Sequence, residues 1–164
     1  MKKLQLLALL TIYLTNSLFA GFPESITAVD GSNIDLKQLA SQKRLVVITM
    51  KTAECTVCQQ QLIRIKKKLN ELMPCNVTFI VLSPGSIDKI QKAKSITKFP
   101  FPFIMDKDLT ISKSLKLNID DNQILPSILI LDDKLEIEWE QIGRNAFQFG
   151  DPELIKILDC SSWI

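Results

Sequence analysis

Two cysteines separated by two residues, Cys55 and Cys58, are the side chains in this chain best placed by type and spacing to do chemistry. An apolar, β-branched run at residues 45–50 leads into them, and a helical pattern at 59–73 leads out. The pair therefore falls where a buried strand hands over to a helix N-terminus. The free N–H groups and dipole of a first helical turn favour an anion. A cysteine placed there loses its proton more easily, and the thiolate is the reactive form. Cys58 follows about one turn later, within reach of Cys55. One thiol can attack a partner disulfide while the other releases the mixed disulfide.

A single CxxC also fits half of a zinc site or a structural bridge. Zinc needs four ligands. The chain has no His, and its only other cysteines, Cys75 and Cys160, have no CxxC-type neighbour. No metal is expected, and no cofactor. A bridge across so small a loop would constrain little. Redox chemistry is the leading reading of the spacing.

The elements that must hold the pair follow from the pattern around it. Residues 26–29 read as a strand, Asp30-Gly31 as a hairpin turn, 33–35 as its return, and 36–41 as a short helix. The run at 45–50 lacks alternation, as expected of a strand covered on both faces. Leu62, Ile65, Leu69 and Leu72 give the next helix its apolar stripe, and Pro74 ends it. Residues 77–82 form a second buried strand, parallel to the first across the helix. A helix at 87–97 and a proline-bearing edge segment at 99–105 follow, then a helix at 109–117. Leu125-Pro126-Ser127 enters a strand at 128–131. Asp132-Asp133 turns the chain into an antiparallel return at 135–142, with Leu135, Ile137 and Trp139 alternating. Asp151-Pro152-Glu153 starts a last helix.

With 164 residues, 46% hydrophobic and 23% charged, the chain suits one domain with a sizeable core. The net charge of +2 gives no electrostatic case for nucleic acid. The basic run at 64–68 lacks stacking aromatics and reads as a solvated helix face. Residues 1–20 read as a secretory signal: Lys2 and Lys3, an apolar stretch at 4–14, then small residues up to Ala20. The domain is then 21–164, periplasmic or secreted, and membrane-bound only if that segment is not cleaved. Disulfides are permitted there.

The strand–CxxC–helix unit, followed by Leu125-Pro126-Ser127 and a strand–turn–strand ending at Gly143, resembles the thioredoxin superfamily over nearly the whole of 26–159. The resemblance implies an α/β fold, with a central mixed sheet flanked by helices. It also implies that Pro126 is cis and packs beside the cysteines, where it shapes a groove pairing with a substrate strand. The segment at 101–106 with its helix, and the hairpin at Asp30-Gly31, are similar to those of secreted TlpA/ResA-type oxidoreductases and of peroxiredoxins. Thr52, three residues before Cys55, matches the Thr-x-x-Cys of a peroxiredoxin site. That family's proline before the Thr is replaced by Ile48, and Pro126 stands where its thiolate-stabilising Arg would be; the nearest Arg in sequence, Arg144, lies past the hairpin. Thioredoxins carry Trp just before the first Cys, where this chain has Glu54, and a buried Asp where it has Thr49. An acid beside a thiolate opposes its formation.

These features lead to a thiol–disulfide oxidoreductase acting on protein thiols and disulfides together with a redox partner protein. Cys55 is the attacking thiolate and Cys58 the resolving thiol. Leu125, Pro126, Thr52 and Glu54 border the groove, with Thr52 placed to hydrogen-bond the thiolate. The alternative is a peroxide reductase with Cys55 peroxidatic and Cys58 or Cys160 resolving. A third reading is a non-catalytic binding module whose pair stays oxidised. Following the strand directions of this fold, Cys75 and Cys160 come to the same end of neighbouring helices, opposite Cys55, and are expected to form a structural disulfide.

Overall fold

The computed structural model describes residues 21–143, Leu154 and residues 156–158. Ser25–Thr27 (β1) and Asn33–Asp35 (β2) form the hairpin, with Asp35 capping Leu36–Gln42 (α1). Then come Arg44–Thr49 (β3), Thr56–Lys67 (α2), Leu69–Leu72 (α3), Val77–Ser83 (β4) and Ile87–Thr97 (α4). Phe103–Met105 (β5), Thr110–Ser114 (α5), Ser127–Leu131 (β6) and Ile137–Ile142 (β7) follow. The main sheet has the order β5-β4-β3-β6-β7, with β3, β4 and β5 parallel, β6 antiparallel to β3, and β7 antiparallel to β6. This is the thioredoxin-like arrangement the resemblance implied, with the hairpin and the β5–α5 segment added to it. The hairpin is fastened to the β5 edge, where Val29 N–H donates to Phe103 O at 2.9 Å and Ala28 bridges Ile104. That contact covers main-chain groups an edge strand would otherwise expose.

The unalternating run of β3 is explained by two cores. Val46 and Ile48 face one, with Leu62 and Ile65 of α2, Ile90 of α4, Leu154 and Leu158. Leu45 and Val47 face the other, with Leu36 of α1, Ile80, Leu82 and Leu129. Helix α2 and the segment around Leu154 therefore cover the same face of the sheet.

Several boundaries differ from the sequence reading. The helix expected over 59–73 is not continuous. It begins at Thr56 and closes at Lys68, whose N–H returns to Ile65 O at 2.9 Å, a tightened last turn. The chain restarts at Leu69, which re-aims Leu69 and Leu72 toward the core; Pro74 lies inside a 3₁₀ turn, Met73–Cys75. The helix expected at 109–117 is only Thr110–Ser114, because Asp106 fixes its start and Lys116 leaves the helix at φ +58°. The expected alternation of Leu135, Ile137 and Trp139 also fails. Leu135 has φ +65° and lies in the turn, and a register shift falls at Ile130/Leu131. Leu135 and Trp139 thus pack on opposite faces of the sheet, with Ile137 exposed.

Candidate active site

The site lies at the end of β3. Strand β3 is held on both sides, by β4 and by β6, so the position of its last residue is fixed. Met50 N–H donates to Leu82 O at 2.9 Å, and the chain then turns through Lys51–Glu54 into α2. Cys55 is the N-cap of that helix, with extended backbone at φ −63°, ψ 102°. Its Sγ accepts the Cys58 N–H at 3.3 Å. The sulfur thus occupies the place a capping Ser or Asp oxygen would take, where an orphan helical N–H and the dipole both favour negative charge. Lys51 N–H points at Cys58 Sγ at 3.5 Å.

Cys55 and Cys58 are joined as a disulfide, with Cα atoms 5.3 Å apart. They are not equivalent. Cys58 is 1% exposed and packs in the core, while Cys55 is half-buried at the surface. Only Cys55 is open to a large reactant; Cys58 is shielded and reachable chiefly by its neighbour.

The loop before Cys55 is braced by its own residues. Thr52 O accepts the Cys55 N–H at 3.1 Å, and the Gln59 side-chain amide donates to Ala53 O at 2.9 Å. Thr52 is linked to Cys55 through its carbonyl, not its hydroxyl. Glu54 is exposed and does not stand alone: its carboxylate meets Lys89 Nζ, in the first turn of α4, at 3.0 Å. Clefts of about 470 Å³ and 420 Å³ flank the loop. Thr52, Gly85, Lys107 and Asp121 line the first, and Gln59, Lys92 and Ile96 line the second; Glu54 and Lys89 border both.

The 124–126 segment is stitched to the same loop. Ile124 N–H donates to Lys51 O at 3.2 Å, and the buried Thr49 hydroxyl donates to Leu125 O at 2.7 Å. Leu125 N–H goes to Leu117 O at 2.7 Å, and Gly143 N–H to Pro126 O at 2.8 Å. There is no cis peptide bond among the described residues, so the expectation of a cis Pro126 is corrected: its bond to Leu125 is trans. Internal bonds already hold both flanking carbonyls, and the trans form needs no compensation for the intrinsic cost of cis. Pro126 itself is buried, so pairing with an incoming strand would compete with these bonds.

Cys75 lies at the other end of the molecule, in a cleft of about 480 Å³ shared with Arg44, Pro74, Glu138 and Leu158. It is disulfide-bonded. Its expected partner Cys160, the 1–20 segment and Arg144 lie outside the described residues. Of the described arginines, Arg44 pairs with Glu138 at 2.8 Å at this far end, and neither it nor Arg64 borders the clefts beside Cys55.

Sequence reasoning did not find Lys89, Gln59 or the task of Thr49. Nothing local marks Lys89, which stands 35 positions from Glu54. Thr49 was visible only as the loss of an acid; its hydroxyl serves as an anchor instead.

Residues 22–140 match the AhpC/TSA family. The chain belongs to that family. Among curated proteins no sequence matches. Solved structures share the fold at low identity. A Plasmodium vivax 2-Cys peroxiredoxin in its reduced form is 19% identical with TM-score 0.73, covering 87% of this chain and 80% of its own. A Xanthomonas campestris bacterioferritin comigratory protein, studied for alkyl peroxide reduction, is 15% identical with TM-score 0.71, covering 87% and 94%. A secreted Mycobacterium tuberculosis disulfide oxidoreductase homologous to E. coli DsbE is 16% identical with TM-score 0.65, covering 85% and 95%. This AhpC/TSA-family chain thus shares its fold both with peroxiredoxins and with a disulfide oxidoreductase.

Proposed function

We propose that this AhpC/TSA-family protein is a thiol–disulfide oxidoreductase acting on protein partners outside the cytoplasm, with Cys55 as the attacking sulfur. The observation that carries the reading is the inequality of the pair: a half-buried Cys55 sulfur capping α2 and a fully buried Cys58 bonded to it. In the reducing direction, the Cys55 thiolate attacks one sulfur of a partner disulfide. A Cys55–partner S–S bond forms and the partner's other sulfur leaves as a thiolate, taking up a proton. Cys58, losing its proton, attacks Cys55 Sγ. The Cys55–Cys58 bond forms, the mixed disulfide breaks, and the partner departs reduced by two electrons. The opposite direction uses the same steps in reverse.

The test compares insulin-disulfide reduction with peroxide consumption by the mature domain. Reduction of insulin, abolished by Cys55→Ser, is expected, with peroxide turnover much slower. Inactivity in both assays would favour the binding-module reading. Export is tested by the mass of the protein recovered outside the cytoplasm, expected to lack residues 1–20.

A second reading has one observation of its own: Thr52 stands three residues before Cys55, as in a peroxide site of the matched family. The Cys55 thiolate would then attack a peroxide oxygen, becoming a sulfenic acid as water or an alcohol leaves. Condensation with Cys58, or with Cys160, would release water. Fast peroxide turnover that survives Cys58→Ser but not Cys55→Ser would favour it over the first.

A further inference from the structure

The acid beside Cys55 is the feature of the site that most opposes its chemistry. A carboxylate next to a sulfur that must ionise disfavours the thiolate by like-charge repulsion. In the structure this acid is paired with a cation. Glu54 Oε2 meets Lys89 Nζ at 3.0 Å, and Lys89 belongs to a different helix, α4, whose Ile90 and Ala93 are buried in the core that also holds Cys58. The anchor of the ion pair is therefore rigid even though the charges are exposed. The pair also forms the ridge between the two clefts beside the CxxC loop, since both are bordered by Ala53, Glu54 and Lys89.

We propose that Lys89 is a positioning residue for Cys55: it holds the Glu54 carboxylate on α4 and so leaves the N-terminus of α2 to the Cys55 thiolate. This rests on the reading of Cys55 as the attacking sulfur. Lys89 acts through Glu54 and does not itself touch the reacting atoms. Other charges near the loop are Lys51 before it, Lys92 on α4, and Lys107, Asp106, Asp108 and Asp121 across the larger cleft. Asp106 is buried and engaged with α5; the others remain in place in every variant below.

The experiment follows the pH dependence of iodoacetamide alkylation in the reduced protein at low ionic strength, where exposed pairs are least screened. Modified cysteines are located by mass spectrometry. Lys89→Gln is expected to raise the midpoint for Cys55 by about half a pH unit, the scale of one unscreened charge several ångströms away. Below the midpoint this is a roughly threefold slower reaction. Lys89→Arg, which keeps charge and reach, should restore the wild-type midpoint. Glu54→Gln should lower it. In the Glu54→Gln background, Lys89→Gln should shift the midpoint by much less than it does alone, because the carboxylate it positions is gone. An unchanged midpoint in Lys89→Gln, or an equal shift with and without Glu54, would overturn the proposal. Preferential alkylation of Cys58 in the wild type would instead overturn the assignment of Cys55, on which the proposal rests.

Discussion

The buried Thr49 hydroxyl donates to the carbonyl of half-buried Leu125 at 2.7 Å, across 76 positions of sequence. It joins the last residue of β3 to the residue before Pro126, and so joins the strand that aims Cys55 to the segment that stands beside it. Thr49→Val keeps shape and removes the donor. The Leu125 carbonyl then keeps only the longer bond from the Ser127 hydroxyl, at 3.1 Å. A loss of about 0.5–1.5 kcal/mol, the net worth of one hydrogen bond, is expected in urea unfolding with the slope unchanged. A variant as stable as the wild type would mean that the bond positions nothing.

The partial exposure of Cys55 and the burial of Cys58 give a trapping prediction. In Cys58→Ser, attack by Cys55 on a partner disulfide has no resolving thiol, so a stable mixed disulfide should accumulate. Cys55→Ser should accumulate none, because Cys58 has no path to a partner sulfur. Non-reducing gels of both variants mixed with a disulfide-containing protein read this out. Adducts through Cys58 in the Cys55→Ser variant would reverse the two roles.

Much of this was legible before any coordinates. The unalternating run at 45–50 required a strand covered on both faces, and its two cores are those of β3. Helix α4 was legible to the residue, because Ile87–Thr97 is bounded by the Pro84-Gly85 turn before it and the proline-bearing segment at 99–105 after it. What was hidden depends on contacts distant in sequence. No Gly or Pro marks the break at Lys68; it follows from where Leu69 and Leu72 must pack. The bulge beside Leu131 separates Leu135 from Trp139, though their spacing implies one face. The bond to Pro126 keeps the intrinsic trans preference of an X–Pro bond, and the expectation of cis came from the resemblance and not from any residue beside it.

Among the described residues, Asp30 in the hairpin turn is the group whose pKa departs most from its ordinary value. Its pKa is lowered from 3.8 to about 2, first by the Ser32 hydroxyl, which donates at 2.6 Å, then by the Ser32 N–H at 3.1 Å, then by Lys94 of α4. The folded chain therefore holds this proton less tightly than the unfolded one. Stability from this group is fully present above 3.8 and is lost as pH falls toward about 2. Because Asp30 is exposed, screening keeps the effect small. Ser32→Ala should move the Asp30 midpoint up toward 3.8 in a carboxyl-carbon NMR titration. An unmoved midpoint would assign the depression to Lys94 instead.

Asp106 governs the rim of the larger cleft from beneath. It is 3% exposed, and its carboxylate accepts the Ile111 N–H at 3.0 Å, the Ser112 N–H at 2.9 Å and the Ser112 hydroxyl at 2.5 Å. Its own N–H donates to Ser83 O at 3.0 Å, tying it to the end of β4. Between these anchors the chain passes through Asp108 at φ +56° and Leu109 at φ +55°, two consecutive left-handed residues that are not glycine. Each such residue costs on the order of 1 kcal/mol and persists only where its surroundings over-determine it. Here the buried carboxylate supplies that determination, and Lys107 and Asp108 are thereby held at the cleft lined by Thr52 and Glu54. Asp106→Ala leaves three donors without their acceptor and releases the strained turn. A loss of about 2–4 kcal/mol is expected, with faster hydrogen exchange at Ile111 and Ser112. Asp106→Asn keeps one carbonyl oxygen and should lose less. Asp108→Gly removes part of the strain without touching the carboxylate and should stabilise the fold by about 0.5–1 kcal/mol. If Asp106→Ala leaves exchange at Ile111 unaltered, the turn is held by something other than this carboxylate.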